Sequence, residues 1–233
     1  MAGSSRILYS LLSNPVPVSS GGIPKTERMQ IKLSQAGKRY NREWIFRNMD
    51  LPFLSGTSYA ITGPNGSGKS TLLQSMGCML QLSEGSLSFT KDNTTIAVEN
   101  AYRHISFCAP YLDVIEELTL IEFLQFHNQF KQFLPRMDME QIIAIIGLQT
   151  AAQKQIRYYS SGMKQRVKLA QAIFSNTDIV LLDEPCSNLD VKGIELYLSL
   201  INDYCADRLV IVCSNDEVEY GFCKERISIT DYK

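Results

Sequence analysis

Nine consecutive residues, Gly63-Pro64-Asn65-Gly66-Ser67-Gly68-Lys69-Ser70-Thr71, have the make-up of a phosphate cradle. Glycines let backbone N–H groups converge on anionic oxygens without interference from side chains. The run follows a strand-like stretch, Thr57–Thr62, and leads into an apolar-periodic stretch, Leu72–Leu82, that reads as a helix ended by Glu84-Gly85. The positive end of such a helix would face the same oxygens. Lys69 would place a cation on the outer phosphates of a nucleoside triphosphate, with ATP the expected one, and the Ser70 hydroxyl is placed to ligate Mg2+. The alternative is a glycine- and serine-rich loop that matches G-x-x-x-x-G-K-[ST] by accident, and the strand–loop–helix context argues against it.

A second set of reactive residues stands at Asp183-Glu184, directly after the apolar run Ile179–Leu182. A buried strand ending in an acid sets a carboxylate at the carboxyl edge of a sheet, where ligands bind in open α/β folds. Asp183 would hold Mg2+ through water, leaving Glu184 to polarise an attacking water. A surface turn would also produce this dipeptide; its company with the phosphate loop favours the chemical reading.

The elements that must position these residues are legible in part. Met29–Leu51 is strand-like, with Ile31 and Leu33 and then Trp44, Ile45 and Phe46. Ser86–Thr90 and Thr95–Glu99 read as strands about a Lys91-Asp92-Asn93 turn, and His104–Phe107 as another. From Thr119 to Gly147 the period becomes helical, first through Ile121, Leu124, Phe126 and Phe130, then over Met139–Ile146 with Asp138 as N-cap. Gly162–Phe174 reads as a helix capped by Ser160 or Ser161, and Leu209–Cys213 as an apolar strand. Continuous rather than alternating apolar strands predict a mostly parallel sheet covered on both faces. His104 and His127 read as surface or helix residues, and the charged stretch Lys131–Glu140 as a solvated helix edge. Aromatic and aliphatic residues between Pro110 and Phe130 read either as lobe core or as a docking groove for a partner helix.

The chain has 233 residues, 45% of them hydrophobic, and a net charge of -1. That is enough to build a substantial core, and the charge gives no basic footprint for nucleic acid. Six irregularly spaced cysteines and two histidines disfavour a structural zinc site and fit a reducing, cytoplasmic compartment. No run approaches eighteen apolar residues. Residues 1–28 read as a disordered leader without signal-peptide order.

A third element, Tyr159-Ser160-Ser161-Gly162-Met163-Lys164-Gln165-Arg166, opens the helix that ends just before the acidic strand, and Ser187-Asn188-Leu189-Asp190 follows that strand. These elements, with the phosphate loop and Asp183-Glu184, in this order and spacing from about residue 29 to the end, resemble the nucleotide-binding subunit of ATP-binding cassette (ABC) transporters, short single-cassette type. Tyr159–Met163 is placed as the family's signature loop and Ser187–Asp190 as its D-loop. The resemblance implies an α/β fold over residues 29–233: a P-loop NTPase core with a mostly parallel sheet, an N-terminal antiparallel β subdomain and a helical lobe inserted at about 111–174. It implies two cassettes closing head to tail on two ATP molecules, so that Ser160 and the N–H of Gly162 would reach ATP held by the partner, and it counts Asp190 of the D-loop among the nucleotide-binding residues. Only one set of elements is present, so a second cassette must come from another chain; a homodimer is the simpler choice and a heterodimer the other. Tyr40, 29 residues before Lys69, occupies the place of the family's adenine-stacking aromatic, with a core or strand-edge tyrosine as the alternative. Trp44 reads as packing in the small strand region.

Two departures from the family pattern stand out. Pro110 aligns with the Q-loop glutamine, and its side chain can neither ligate a metal nor orient water. Asn215 stands where the switch histidine is usual; it can donate a hydrogen bond to the γ-phosphate but cannot carry a proton. The signature is loose too, with Ser161 and Met163 at its usual Gly and Gln. The expected function is a Mg-dependent ATPase, slowed by these replacements, that powers a separate permease from the cytoplasmic face of the membrane. The alternatives are a soluble ABC-type ATPase and a nucleotide-gated structural subunit with little turnover.

Overall fold

The structure, a computed structural model, describes residues 29–233; the leader expected over residues 1–28 lies outside them. The two apolar runs seen in the sequence form the centre of a five-stranded parallel sheet. Its strands are β3 (Ser58–Thr62), β6 (Ile105–Cys108), β7 (Ile179–Asp183), β8 (Leu209–Cys213) and β9 (Glu225–Ser228), in the order β6-β7-β8-β3-β9. Side chains alternate across a strand, and here both faces are buried. Val180, Leu182, Val210 and Val212 enter a core shared with the helices, while Ile179, Leu181, Leu209 and Ile211 enter a second core. Each such side chain, fully buried, stabilises the fold by about 1.5–3 kcal/mol.

The second core is closed by an antiparallel sheet of β1 (Met29–Tyr40), β2 (Glu43–Leu54), β4 (Glu84–Lys91) and β5 (Thr94–Ile96), ordered β2-β1-β4-β5, and by α1 (Lys69–Met76). The hairpin β4–β5 turns on Asp92 and Asn93 alone, both at positive φ (50° and 66°), the backbone shape that two-residue turns demand and that Asp and Asn tolerate best. The expected strand at Thr95–Glu99 is therefore shorter, and Val98–His104 forms a 3-10 segment instead.

The other core gathers α2 (Leu120–Phe130), α3 (Met139–Ile145), α4 (Ser161–Ile173) and α5 (Val191–Tyr204). Reciprocal capping boxes start α2 (Thr119 with Glu122) and α3 (Asp138 with Gln141), each satisfying otherwise unpaired amides. Ser160, not Ser161, caps α4 by accepting the Met163 N–H at 3.2 Å.

Several expectations are corrected. The helix after the phosphate loop runs over Lys69–Met76 rather than Leu72–Leu82: Gly77 closes it and Cys78 turns left-handed at φ 60°. Apolar periodicity continued past that point because Leu82 still packs on the same core. Of the stretch Lys131–Glu140, residues 131–138 are a helix-to-helix link containing Pro135 and only Met139 and Glu140 are helical, as the start of α3, and the partly buried Lys131 ammonium donates to the Ile105 carbonyl. The structure adds helix α5, capped by Asp190, whose carboxylate accepts the Gly193 N–H at 2.8 Å, to the elements expected from the sequence. A short α6 (Glu217–Tyr220) follows β8.

His127 lies in α2 but is buried, not on the surface. Its Nε2 lies 2.8 Å from Ser175 Oγ, whose own proton goes to the Gln171 carbonyl at 2.6 Å, so the imidazole donates and stays neutral. Burial, and secondarily the Lys131 charge, lowers its pKa to about 4. The unfolded chain takes up this proton at a pH where the folded chain refuses it, so the neutral imidazole's contribution is complete above about pH 6.5 and is lost on acidification. Urea unfolding followed from pH 7 to pH 4 is expected to show a loss of up to about 3 kcal/mol from this group. His127→Asn should flatten that part of the profile; an identical pH slope in the variant would assign the effect elsewhere.

Candidate functional site

The site begins where β3 runs out. The chain turns through Gly63–Gly68 and enters α1 at Lys69. Two glycines are required by geometry. Gly68 holds φ 106°, and a Cβ there would lie 2.2 Å from Ile45 Cγ2; Gly63 holds φ 145°, with a Cβ 2.9 Å from Ser67 Oγ. No side chain caps the first turn of α1 and no acid stands in it, so its amides remain available to an anion. The Lys69 ammonium is buried and folded over the loop, donating to the Gly63 carbonyl at 2.7 Å and the Pro64 carbonyl at 3.2 Å. Asn65, Gly66, Ser67, Gly68, Lys69, Ser70 and Thr71, with Ile45 and Glu184, line a cleft of about 230 Å³.

Strand register brings the acids to this cleft. Ile61 on β3 pairs with Cys213 on β8, and Cys213 pairs with Asp183 on β7. The end of β7 is therefore two strands from the point where the loop begins, at the same height. Asp183 is 2% exposed, and neither carboxylate oxygen has a hydrogen-bond partner of ordinary geometry. Burial raises its pKa, and the Glu184 charge adds to that; the Ser70 and Tyr111 hydroxyls and the Lys69 ammonium pull it back. A buried carboxylate left unpaired is costly. Two orphaned oxygens facing a serine hydroxyl and an anion cradle form a hard-oxygen donor set that fits Mg2+ accompanied by phosphates. Glu184 is exposed beside it, held at φ 43° with its N–H on the Cys213 carbonyl at 2.9 Å.

Asn215 also reaches the loop: its Nδ2 donates to Asn65 Oδ1 at 2.8 Å. Tyr40, at the end of β1, is 47% exposed with the Lys38 ammonium 5.2 Å from its ring centroid, and is not part of the cleft lining. Trp44 is stacked by Arg47 (4.4 Å) and Arg39 (5.5 Å) and belongs to the strand region. Ser160, Gly162 and Asp190 are brought together, but elsewhere: with Asn188 and Arg166 they line a separate cleft of about 460 Å³. Pro110 offers only its carbonyl, which accepts from Lys168 Nζ at 3.0 Å. Its neighbour Tyr111 faces Asp183 and Gln74 with its hydroxyl, a position sequence reasoning missed; the one available signal was an aromatic adjoining the misfit proline.

A family model described as ABC transporter matches residues 46–187. The chain is 32% identical over 170 residues to the uncharacterized ABC transporter ATP-binding protein YybJ of Bacillus subtilis, covering 70% of this chain and 75% of the relative. It is 31% identical over 189 residues to the cytochrome c biogenesis ATP-binding export protein CcmA of Rhodopseudomonas palustris, covering 79% and 91%. Among solved structures, a dimeric bacterial ABC transporter cassette superposes with a TM-score of 0.71 at 25% identity, over 85% of this chain and 94% of that one.

The geometry makes Lys69 the main cation of the cradle. Lys69→Ala is expected to weaken Mg-ATP binding by roughly 10- to 100-fold, the range of one charge-assisted hydrogen bond, as read by isothermal titration calorimetry. Unchanged affinity would put the triphosphate somewhere else.

Proposed function

The chain belongs to the ABC transporter family of ATP-binding proteins, and from that premise we propose that it is a Mg-dependent ATPase subunit that drives a separate membrane permease by closing and opening with a second copy of itself. The observation that carries this reading is Asp183, buried with two unpaired oxygens at the height of the phosphate loop. The loop amides and Lys69 bind the triphosphate. Ser70 and Asp183 would hold magnesium, Asp183 through water, and the ion would supply charge neutralisation on the phosphate oxygens. Glu184 orients a water molecule toward the γ-phosphorus and takes its proton; the bond from that phosphorus to the bridging β–γ oxygen breaks, leaving ADP and inorganic phosphate. Asn215 donates a hydrogen bond to the γ-phosphate but brings no charge, so turnover is slower than with an ionisable group in its place.

Head-to-tail pairing is supported by the separation of the two clefts within one chain. The Ser160–Gly162 cleft has a helix start whose cap, the Ser160 hydroxyl, accepts the Met163 N–H and still has its own proton to donate, the makings of an anion site, yet it does not meet the phosphate loop of its own chain. In a homodimer it would meet the other copy's ATP, and Tyr40 would lie along the adenine. The permease would be engaged by the helical lobe from the cytoplasmic side; among the described residues no helix is long and apolar enough to cross a membrane. A second reading, a nucleotide-gated subunit with little turnover, is favoured by Pro110 and Asn215 specifically. The two part on phosphate release. The ATPase reading expects Mg-dependent release from the purified chain, and Glu184→Gln should lower it by about 10²–10⁴-fold, the usual contribution of a positioned base. With ATP that variant should also elute as a dimer in size exclusion. Absence of release from the unaltered chain, alone and with its permease, would leave the gated subunit; release that persists in Glu184→Gln would deny Glu184 its role.

A further inference from the structure

Glu219 sits in the short α6 and lines neither cleft, yet its carboxylate is turned inward and only 5% exposed. Oε1 accepts the Cys186 N–H at 2.7 Å, while Oε2 is buried with no partner. The Ser214 hydroxyl, which accepts the Asp216 N–H at 2.9 Å, faces the same carboxylate. Its backbone is fixed as well: the Glu219 carbonyl accepts the buried Tyr197 hydroxyl at 2.8 Å, and its N–H donates to the Asp216 carbonyl at 3.0 Å. A carboxylate buried with so few donors does not earn its place through stability alone.

What it joins is informative. Cys186 lies two residues after Glu184, and Ser214 lies one residue before Asn215. Glu184 is a non-glycine residue at φ 43°, a conformation that persists only where the surroundings hold it. Among its holders are the Ser187 N–H on the Glu184 carbonyl, the Glu184 N–H on the Cys213 carbonyl, the Pro185 carbonyl on Gln165 Nε2 at 2.7 Å, and the Cys186 N–H on Glu219. Only the last of these runs to a charged side chain, and that side chain belongs to the segment that leaves β8 through Asn215.

We propose that Glu219 is a positioning residue for ATP hydrolysis, tying the backbone just past Glu184 to the loop that carries Asn215 so that the acid and the amide keep a fixed spacing across the γ-phosphate. This rests on the ATPase reading above. Glu219 is not among the residues lining the phosphate-loop cleft, so its loss is expected to act on turnover and not on ATP affinity. Gln retains a carbonyl oxygen for the Cys186 N–H; Ala does not.

The test measures kcat for Mg-dependent phosphate release, Kd for Mg-ATP and the thermal midpoint in the full chain, for the unaltered protein, Glu219→Ala and Glu219→Gln. In Glu219→Ala kcat should fall about 10- to 100-fold, the loss expected for one hydrogen bond to a charged group, with Kd within about threefold; in Glu219→Gln most of kcat should return. If the alanine variant does not fold, Glu219→Asp, with its acceptor one methylene short, should show the same split. Unchanged kcat in these variants, or Kd weakening in step with kcat, or no recovery with Gln, overturns the proposal. No phosphate release from the unaltered chain is a different failure: it removes the hydrolysis reading, and this inference with it.

Discussion

The side-by-side parallel pairing of β3, β8 and β7 is the constraint on which the site rests. Ile61, Cys213 and Asp183 occupy one line across the sheet, which sets the start of the phosphate loop and the strand-end acid at one height. Register is fixed by burial on both faces. A slip of one residue would exchange the two sets of side chains, sending Leu182 and Val212 into the core built for Leu181 and Ile211. It would also carry Asp183 to the opposite face, away from Ser70. The apolar residues of these strands thereby determine where the polar ones meet, and the chemistry depends on packing that touches no ligand.

The two ends of the sheet treat buried charge differently. At the amino ends, Arg208 is buried and its guanidinium is shared among the Ile173 and Ser175 carbonyls and the Thr177 and Ser106 hydroxyls, with only Nε left over. Nearby, Asp178 pairs with His104 and Lys91. At the carboxyl ends, Asp183 keeps both oxygens unpaired, and Lys69 is satisfied only by carbonyls of the loop it spans. Unmet hydrogen-bonding capacity marks the edge where a ligand completes the structure.

The residues of the phosphate loop and the acidic pair were readable in the sequence because their constraints are local: glycines demanded by close approach, a hydroxyl and an ammonium at fixed offsets, an acid at the end of an apolar strand. The cap at Asp138 is nearly as legible for the same reason, and the cap of α4 is narrowed to Ser160 or Ser161. What escaped was tertiary. The end of α1 was misplaced because Leu82 obeys the core and not the helix. Helix α5 does not stand out in the sequence, although Gly193, Tyr197, Leu200 and Ile201 mark its buried face, since its N-cap, Asp190, also reads as the end of the D-loop. Tyr111 and Glu219 matter through residues more than thirty positions away, and no spacing rule reaches that far.

The two clefts are connected by one short segment. Glu184 lines the phosphate cleft, while Asn188, Leu189 and Asp190 line the other. Between them the chain is folded tightly, with Ser187 N–H on the Glu184 carbonyl at 3.1 Å, Leu189 N–H on the Cys186 carbonyl at 3.0 Å, and a second left-handed residue at Asn188, φ 65°. A Cβ on Gly162 would come within 3.0 Å of the Asn188 carbonyl oxygen, so the start of α4 rests directly on this segment. In the proposed dimer, a partner pressing on the Ser160–Asp190 cleft would push on a stiff link whose other end is Glu184. Closure and the placing of the attacking water would then be one event, with the middle of the link held at Cys186, whose N–H is on the Glu219 carboxylate.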